Sequence, residues 1–360
     1  MFLLGLLVPI VYIPGYTGAT IPTQLPFLSL ALIPSLWRKG PWTPLHWLGT
    51  IFLIYASISI GFASDLQNSI MGMWIVSISA LAFWLGSTLL DLNALWRGLA
   101  WGLGINSAVA IIQAFGFQSV PVSNNDIAGL LYNQTVLGAS CAIVILGLLS
   151  ERLYHLIPLL LPGLYLAHSR GGWFILILGL AARIHWVLPT GLLIGASFWW
   201  TNHLDPSNIE RLQIWYVAAS TLTLSGHGVG SFYSVWYTIG STVIHPEFVH
   251  NDYLQLAFEF GLGAIPLYCL FAWAIARTLS PTLIAIAALG TFYFPLHCPL
   301  IMFISAVVTG HASRACDLTW LTRLLGRSPF LSRDDHGRLI SYSLGRQGLS
   351  LPSNHPCSEA

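Results

Sequence analysis

The sequence predicts an all-α polytopic membrane protein with about twelve transmembrane helices. Three observations indicate this fold class: 55% of the 360 residues are hydrophobic, only 8% are charged, and the mean hydropathy is +0.72. A soluble core does not need so much apolar surface. The net charge of +1, without a basic stripe, argues against nucleic-acid binding.

Apolar runs give the predicted spans in chain order. A helix needs ~20 residues to cross a bilayer, and shorter runs are accepted where Pro or Gly makes a tight hairpin. The predicted spans are residues 2–14, 24–37, 43–63, 69–90, 98–118, 133–150, 152–167, 171–184, 185–201, 251–275, 281–294 and 299–312. The first run lacks a basic n-region and a cleavage site, so we expect a retained span rather than a signal peptide.

These spans define two regions of the chain. Residues 1–312 form the predicted membrane domain, and residues 313–360 form a tail. The tail is rich in Arg, Ser, Pro and Gly without sustained periodicity. We therefore expect it to be partly disordered and cytoplasmic.

Basic residues orient the predicted spans. They fall at alternate span ends and recur in the tail, at Arg38, Lys39, Arg97, Arg152, Arg183, Arg277, Arg314, Arg323, Arg327, Arg333, Arg338 and Arg346. The positive-inside rule then places both termini in the cytoplasm. The one long internal connection, residues 202–250, lies outside and carries a single basic residue, Arg211.

Residues 246–266, PEFVHNDYLQLAFEFGLGAIP, place several polar side chains on an apolar helix. Asp252, Gln255 and Glu259 follow i, i+3, i+7 spacing, which puts them on one helix face. Asn251 or Asp252 is a good N-cap, so His250 is expected just outside the first turn. The positive end of a helix favours an anion at that position.

A lone charge stands at the outer end of another predicted span. The segment AHSRGGWF, residues 167–174, contains Arg170 beside Ser169. Two interpretations remain open: the guanidinium reaches lipid headgroups, or it serves a functional site, as charges at membrane boundaries commonly do.

The long connection carries two further patterns. The segment NIERLQIWYVAASTLTLS, residues 208–225, predicts an amphipathic helix on the membrane with Arg211 near its polar edge. The following GHGVGSF is a glycine-rich turn whose N–H groups, including those of Gly228 and Gly230, are suited to wrapping an oxyanion.

The sequence gives no pattern for a metal or cofactor. The five cysteines show no CxxC or zinc spacing, and no nucleotide or hydrolase motif is present. We therefore expect neither a metal nor a cofactor. Most of the 12 histidines, including His46 and His297, lie on apolar faces and are predicted to be structural.

Together these motifs resemble the O-antigen ligase and polymerase family of bacterial inner membranes. The resemblance is carried by LYNQTVLGAS, SRGGW, ERLQIWYVAA with GHGVGSF, and HNDYLQLAFEFGLG. It covers roughly residues 120–275 by motif and residues 1–312 by topology. One departure concerns helix packing: Gly261 is followed three positions later by Ala264, where the family most often has glycine.

The resemblance implies a glycosyltransferase C-like fold with one long periplasmic loop. It implies an active site on the periplasmic side of the bacterial inner membrane. There a glycan would move from a polyprenyl diphosphate carrier to an acceptor hydroxyl. The acceptor is lipid A-core in ligases and another carrier-linked glycan in polymerases, while protein O-oligosaccharyltransferases form a third option.

Roles for individual residues follow from this resemblance and from side-chain chemistry. Guanidinium groups stabilise a departing diphosphate, so Arg170 and Arg211 are the expected catalytic arginines. His250 is the expected general base or a phosphate ligand, in an outer-facing cavity shared with both arginines. The expected substrate-binding residues are Asn251, Glu259, Gly228, Gly230 and Ser169.

An anion transporter is the alternative from another class. Distant members of the superfamily have been linked to anion uptake, and broken helices with charges in the membrane suit transport. Against it, the charged residues cluster on one side of the predicted membrane domain, and no inverted repeat is evident in the sequence.

The predicted topology can be tested by cysteine labelling. A reagent that cannot cross the membrane should modify Asn208→Cys in intact cells, because residues 202–250 are expected outside. The native Cys357 should react only after the membrane is permeabilised. Labelling in the reverse pattern would invert the predicted orientation.

Overall fold

The computed structural model describes most of the chain. The described residues are 1–11, 24–38, 42–117, 127–131, 133–183, 206–235, 237–239, 242–244, 246, 248–293, 295–314, 331–333 and 339–341. The predicted span 185–201 lies outside them. The chain divides into two compact units, residues 1–316 and residues 317–360.

The first unit is helical apart from one short hairpin in the described part of the chain. Its helices are α1 (Phe2–Leu7), α2 (Gln24–Leu32), α3 (Pro44–Ser59), α4 (Leu66–Thr88), α5 (Asn93–Ala114), α6 (Gln134–Ser150), α7 (Leu161–Leu166), α8 (Arg170–Arg183), α9 (Pro206–Ser220), α10 (Asp252–Phe260), α11 (Ile265–Thr278), α12 (Pro281–Gly290) and α13 (Pro299–Ser313). Short 3₁₀ segments are Ile33–Trp37, Ile60–Phe62, Tyr154–Leu159, Ser231–Ser234, Gly261–Ala264 and Pro295–His297.

Two short antiparallel strand pairs complete the described structure. In the first unit β1 (Tyr237–Ile239) pairs with β2 (Thr242–Ile244), with Tyr237 opposite Ile244. In the second unit β3 (Leu331–Arg333) pairs with β4 (Leu339–Ser341).

Four helical segments are long and apolar enough to cross a membrane: Pro44–Phe62, Leu66–Thr88, Asn93–Ala114 and Asp252–Thr278. Other predicted spans correspond to shorter apolar helices, as at α6, α12 and α13. Large apolar side chains remain exposed on these segments, among them Ile51, Ile54 and Ile58 along one stripe of α3. The described residues therefore form a helical structure with four segments suited to crossing a membrane, and the other predicted spans fall on shorter helices or outside the described residues.

Helices α4 and α13 approach closely because each presents a glycine to the other. A Cβ atom on Gly86 would collide with the carbonyl of Val307, and one on Gly310 would collide with the carbonyl of Phe83. Small residues permit such close packing where lipid removes the hydrophobic drive for helix association.

The segment Asp252–Thr278 is a broken helix. Helix α10 ends at Gly261, whose φ of +52° lies in the left-handed range. The loop at residues 224–230, here called the glycine loop, pairs with the break. His227 and Gly228 donate backbone N–H groups to the carbonyls of Phe258 (3.0 Å) and Glu259 (2.9 Å). Backbone groups freed by the break are thereby satisfied inside the protein, as an apolar environment requires.

Polar loops gather at one end of the helices. Val229 donates its N–H to Ser59 Oγ at 3.2 Å, close to the end of α3. Tyr293, after α12, donates its hydroxyl to Asn133 Oδ1 at 3.3 Å, before α6. At the opposite end, Arg314 Nη1 donates to the Leu89 carbonyl at 2.6 Å. We call the end that contains Ser59 and Asn133 the loop end, and the end that contains Leu89 and Arg314 the basic end.

Adding one methyl group to Gly310 should destabilise the protein. Gly310→Ala forces α13 away from α4 and should lower the unfolding free energy by about 1–3 kcal/mol. Gly49→Ala is the matched control, because its Cβ would meet only Leu270 at 3.8 Å. That control should be neutral or stabilising, since Ala favours a helix over Gly by up to about 1 kcal/mol. Equal unfolding midpoints for the two variants in detergent would contradict the close packing.

Candidate functional site

The polar face of α10 is buried, as the residue spacing predicts. Asp252, Gln255 and Glu259 are each at most 4% exposed. Asn251 is the N-cap, and its Oδ1 accepts the Leu254 N–H at 3.0 Å. Asp252 is consequently the first residue of the helix.

Asp252 binds a histidine that is distant in sequence. Its Oδ1 lies 2.9 Å from His297 Nδ1, and its Oδ2 accepts the Leu296 N–H at 2.7 Å. The His297 side chain is 11% exposed and that of Asp252 only 1%. The 3₁₀ segment Pro295–His297 thus closes over the first turn of α10. His297, which the sequence predicts to be structural, belongs to this polar network.

Gln255 fixes the direction of the hydrogen bonds in the network. The Val249 N–H can only donate, so the Gln255 atom 3.2 Å from it is the carbonyl oxygen Oε1. The amide nitrogen then donates to Glu259 Oε1 and to His297 Nε2, both at 3.1 Å. Since His297 Nε2 accepts, Nδ1 carries the proton that is donated to Asp252.

Protonation of His297 is coupled to the orientation of Gln255. Burial disfavours the charged imidazole, but the hydrogen bond and charge of Asp252, with the charge of Glu259, outweigh burial and raise the pKa of His297. A second proton, on Nε2, would displace the Gln255 N–H. Gln255 would then have to turn and give up its bond to Val249.

Glu259 links this network to the glycine loop. Its Oε2 accepts the Gly230 N–H at 3.1 Å, and its backbone carbonyl accepts the Gly228 N–H at 2.9 Å. From the sequence, these two N–H groups are expected to bind a substrate anion. In the structure they donate to Glu259 instead, because the loop packs directly on α10. The anion held by Gly230 is the protein's own carboxylate.

A second cluster contains His250 and Arg211 at the loop end. Burial, and after it the charge of Arg211, lowers the pKa of His250 to about 4. The imidazole is therefore neutral near pH 7. The His250 ring lies 6.3 Å from the Tyr293 ring, and Arg211 interacts electrostatically with Tyr293 as well.

Helix α9 presents Arg211 to the protein. Arg211 shares its helical stripe with the buried Ile214 and Ala218, whereas Ile209 and Leu212 are exposed. A helix is present over most of the predicted segment and ends at Ser220, and Arg211 is half-buried in it. The stripe that packs against the protein carries the arginine, and the exposed stripe is apolar.

Arg170 lies at the loop end too. It is the exposed first residue of α8, and the buried Ser169 caps that helix by accepting the Gly172 N–H at 3.0 Å. A Cβ on Gly171 would lie 3.7 Å from Leu289 and 3.9 Å from Thr135, near the ends of α12 and α6. Arg211 interacts electrostatically with His250, whereas for Arg170 the contacts of its neighbour Gly171 establish only that it lies at the same end of the helices.

A cavity of about 620 Å³ adjoins the polar network. Asp252, Glu259 and His297 line it at the loop end, and it extends between α3, α4 and α11 to His46. Arg170, Arg211 and His250 are not among its lining residues, so it is not the shared cavity expected for them. Within the described ranges, no three His, Cys, Asp or Glu side chains are arranged to hold a metal ion.

The fold and this site define a helical membrane protein with a buried carboxylate and histidine network at the end of a cavity. The chain matches no protein-family model, and no curated protein is significantly similar to it in sequence. A function must consequently be argued from its residues.

Removing Asp252 should cost far more stability than removing the half-buried carboxylate of Asp65. Asp252→Ala leaves the Leu296 N–H and the His297 ring without their acceptor, and should lower the unfolding free energy by about 3–5 kcal/mol. Asp65→Ala, which removes the N-cap of α4, should cost about 1 kcal/mol. Unfolding in detergent provides the comparison. A loss at Asp252 no larger than that at Asp65 would show that the network contributes little.

Proposed function

We propose that the protein transfers a glycan from a polyprenyl diphosphate carrier to an acceptor hydroxyl, in the manner of an O-antigen ligase. The observation that carries this proposal is the electrostatic interaction of Arg211 with His250, whose pKa is lowered to about 4 by burial and by the charge of that arginine. A neutral imidazole beside a guanidinium provides both a base and an anion-binding group.

His250 and the arginines have different roles in the proposed reaction. The acceptor hydroxyl loses its proton to His250 as its oxygen attacks the anomeric carbon. The bond from that carbon to the diphosphate breaks, and the diphosphate leaves with the electron pair. The guanidinium of Arg211 binds the oxygens that gain charge, and Arg170 is the second arginine of the proposal.

The exposed face of α9 supports a lipid-linked donor. Ile209, Leu212 and Tyr216 form an exposed apolar stripe opposite the buried residues of the helix. A helix of this kind lies in the membrane interface with its apolar face toward lipid. It would hold Arg211 at headgroup depth, where the diphosphate of a lipid carrier resides.

The backbone of His250 supports a functional role. Its φ of +56° is left-handed, a conformation that non-glycine residues rarely adopt. Neighbouring bonds hold it there: Val249 is bound by Gln255, and Asn251 caps α10. Such strain collects at functional sites because their geometry is imposed by surrounding structure.

The same side chains suit more than one acceptor hydroxyl. We propose lipid A-core, on the periplasmic face of a bacterial inner membrane. A polymerase or a protein O-oligosaccharyltransferase would use the same side chains with another hydroxyl. Assays with each acceptor separate the three.

Anion transport coupled to protons is a second candidate. One observation favours it: Asp252, Glu259 and His297 are buried at the end of a cavity that runs between apolar helices. Ionisable groups in such positions often serve ion or proton pathways.

His250→Gly should abolish transfer without unfolding the protein. Glycine relieves the left-handed strain, so the unfolding midpoint should equal or exceed that of His250→Ala. Loss of the base should reduce the transfer rate by about 10²–10⁴-fold. Proteoliposomes with carrier-linked glycan and acceptor provide the assay. The wild-type rate should hold from pH 7 to 5.5, whereas an ordinary histidine would be about nine-tenths protonated at pH 5.5.

Arg211 gives the companion variant. Arg211→Lys keeps the charge but loses the bidentate geometry, so transfer should still fall substantially. Arg183→Lys, at the other end of α8, is the matched control and should be fully active.

Full transfer by His250→Gly would overturn the proposal. Anion uptake that depends on Asp252 but not on His250 would establish the transporter instead.

A further inference from the structure

The cavity is elongated and runs along α4. Its lining includes α4 residues from Gly72 to Trp84. Those residues are twelve steps apart, which corresponds to about 18 Å at the helical rise of ~1.5 Å per residue. The Gly72 end adjoins the polar network, and the Trp84 end reaches His46 near the start of α3.

The wall between these ends is hydrocarbon. Leu53, Val76, Leu270 and Ile286 line it. The hydroxyls of Thr50, Ser77 and Ser79, which also line it, donate to carbonyls of their own helices at 2.8 Å each. Their polarity is therefore satisfied internally, and the middle of the cavity suits an apolar chain.

His46 supplies an unmet donor at the far end. Its Nδ1 accepts the Thr43 N–H at 3.0 Å, so the proton of the neutral ring is on Nε2. The residue is 4% exposed, and Nε2 has no hydrogen-bond partner in the part of the chain that the structure describes. A buried N–H without an acceptor is costly, which makes it a specific place for a ligand oxygen.

Aromatic residues place this donor at a membrane interface. Trp37, Trp42 and Trp47 are all exposed around the start of α3, and Arg38 is exposed beside them. Exposed tryptophans next to a basic residue mark the headgroup level of a bilayer. The His46 ring packs among three aromatic rings, at 5.6 Å from the exposed Trp42, 5.2 Å from Phe83 and 5.4 Å from Trp84. This is the basic end, remote from His250 and Arg211.

We propose that the cavity binds one acyl chain of a glycerophospholipid from the leaflet at the basic end. The ester carbonyl accepts the His46 Nε2–H once the Trp42 ring moves aside, and the chain extends along α4 toward Gly72. The ~18 Å length is close to one leaflet, half of a hydrocarbon core of ~30 Å. This site is separate from the proposed glycan transfer and does not depend on it.

An occupied cavity has a consequence for the polar network. Asp252, Glu259 and His297 line its inner end, so a bound chain stops next to them. The chain excludes water from that side of the network.

Photocrosslinking tests the site on the full-length protein in lipid nanodiscs. The probe is phosphatidylethanolamine with a diazirine midway along one acyl chain, and labelled residues are mapped by peptide mass spectrometry. Wild-type protein should be labelled on α4 between residues 72 and 84. His46→Phe keeps the ring but removes the donor, and should reduce this labelling roughly three- to tenfold, as expected for one hydrogen bond.

A second variant fills the cavity. Gly49 lines it and has room for a side chain, so Gly49→Leu should reduce labelling more than tenfold. Gly61→Leu is the matched control, because a Cβ there meets nothing within 4 Å and Gly61 does not line the cavity; its labelling should be unchanged. If Gly49→Leu fails to fold, Ala80→Leu fills the same space.

Two results would overturn the proposal. Labelling confined to the outward stripe of Ile51, Ile54 and Ile58, equal in every variant, would mean that the cavity holds no lipid. Stronger labelling of α4 by a diazirine fatty acid than by the phospholipid would mean that the ester is not the recognised group. Neither result depends on glycan transfer.

Discussion

The backbone pairing between the glycine loop and the broken helix is the interaction on which the described site depends. Where α10 ends, the carbonyls of Phe258 and Glu259 would face an apolar interior without partners. Instead they accept N–H groups from His227 and Gly228. The same contact brings the Gly230 N–H to the Glu259 carboxylate, and through Gln255 it extends to His297. Position 226 requires glycine for two reasons. Its φ is left-handed, and a Cβ on Gly226 would collide with the backbone of Glu259.

The structure separates two kinds of polar group that lie close in sequence. Asp252, Gln255 and Glu259 point into the protein. Asp252 accepts the Leu296 N–H, Gln255 donates to Glu259, and Glu259 accepts the Gly230 N–H. His250, just before them, faces Arg211 and Tyr293. These hydrogen bonds explain why α10 tolerates two carboxylates in an apolar helix. Without its partners, either buried carboxylate would destabilise the protein by about 3–5 kcal/mol. The outer set is the one available for chemistry in the proposed function.

Sequence patterns predicted the local features of this site better than its distant ones. The shared face of α10, the N-cap at Asn251 and the helix carrying Arg211 all follow from short-range periodicity. His297 could not be found in this way, because its partner Asp252 is 45 residues away and the loop between α12 and α13 carries no polar pattern. Amphipathicity alone cannot tell which stripe of α9 packs on the protein, because both of its stripes contain apolar residues. For residues 281–294 the apolar run predicts a crossing, whereas helix α12 ends at Gly290.

The separation between Asp252 and His297 also bears on how the protein is made. A ribosome adding about 5–20 residues per second incorporates Asp252 roughly 2–9 seconds before it reaches His297, 45 residues further along. During that interval the nascent chain carries a carboxylate at the first turn of an apolar helix, with its histidine still unsynthesised. The energetics favour holding α10 near the water interface until the segment before α13 arrives. We therefore expect burial of Asp252 to be completed late, and a chain cut short before residue 297 contains a complete α10 whose Asp252 lacks its histidine partner.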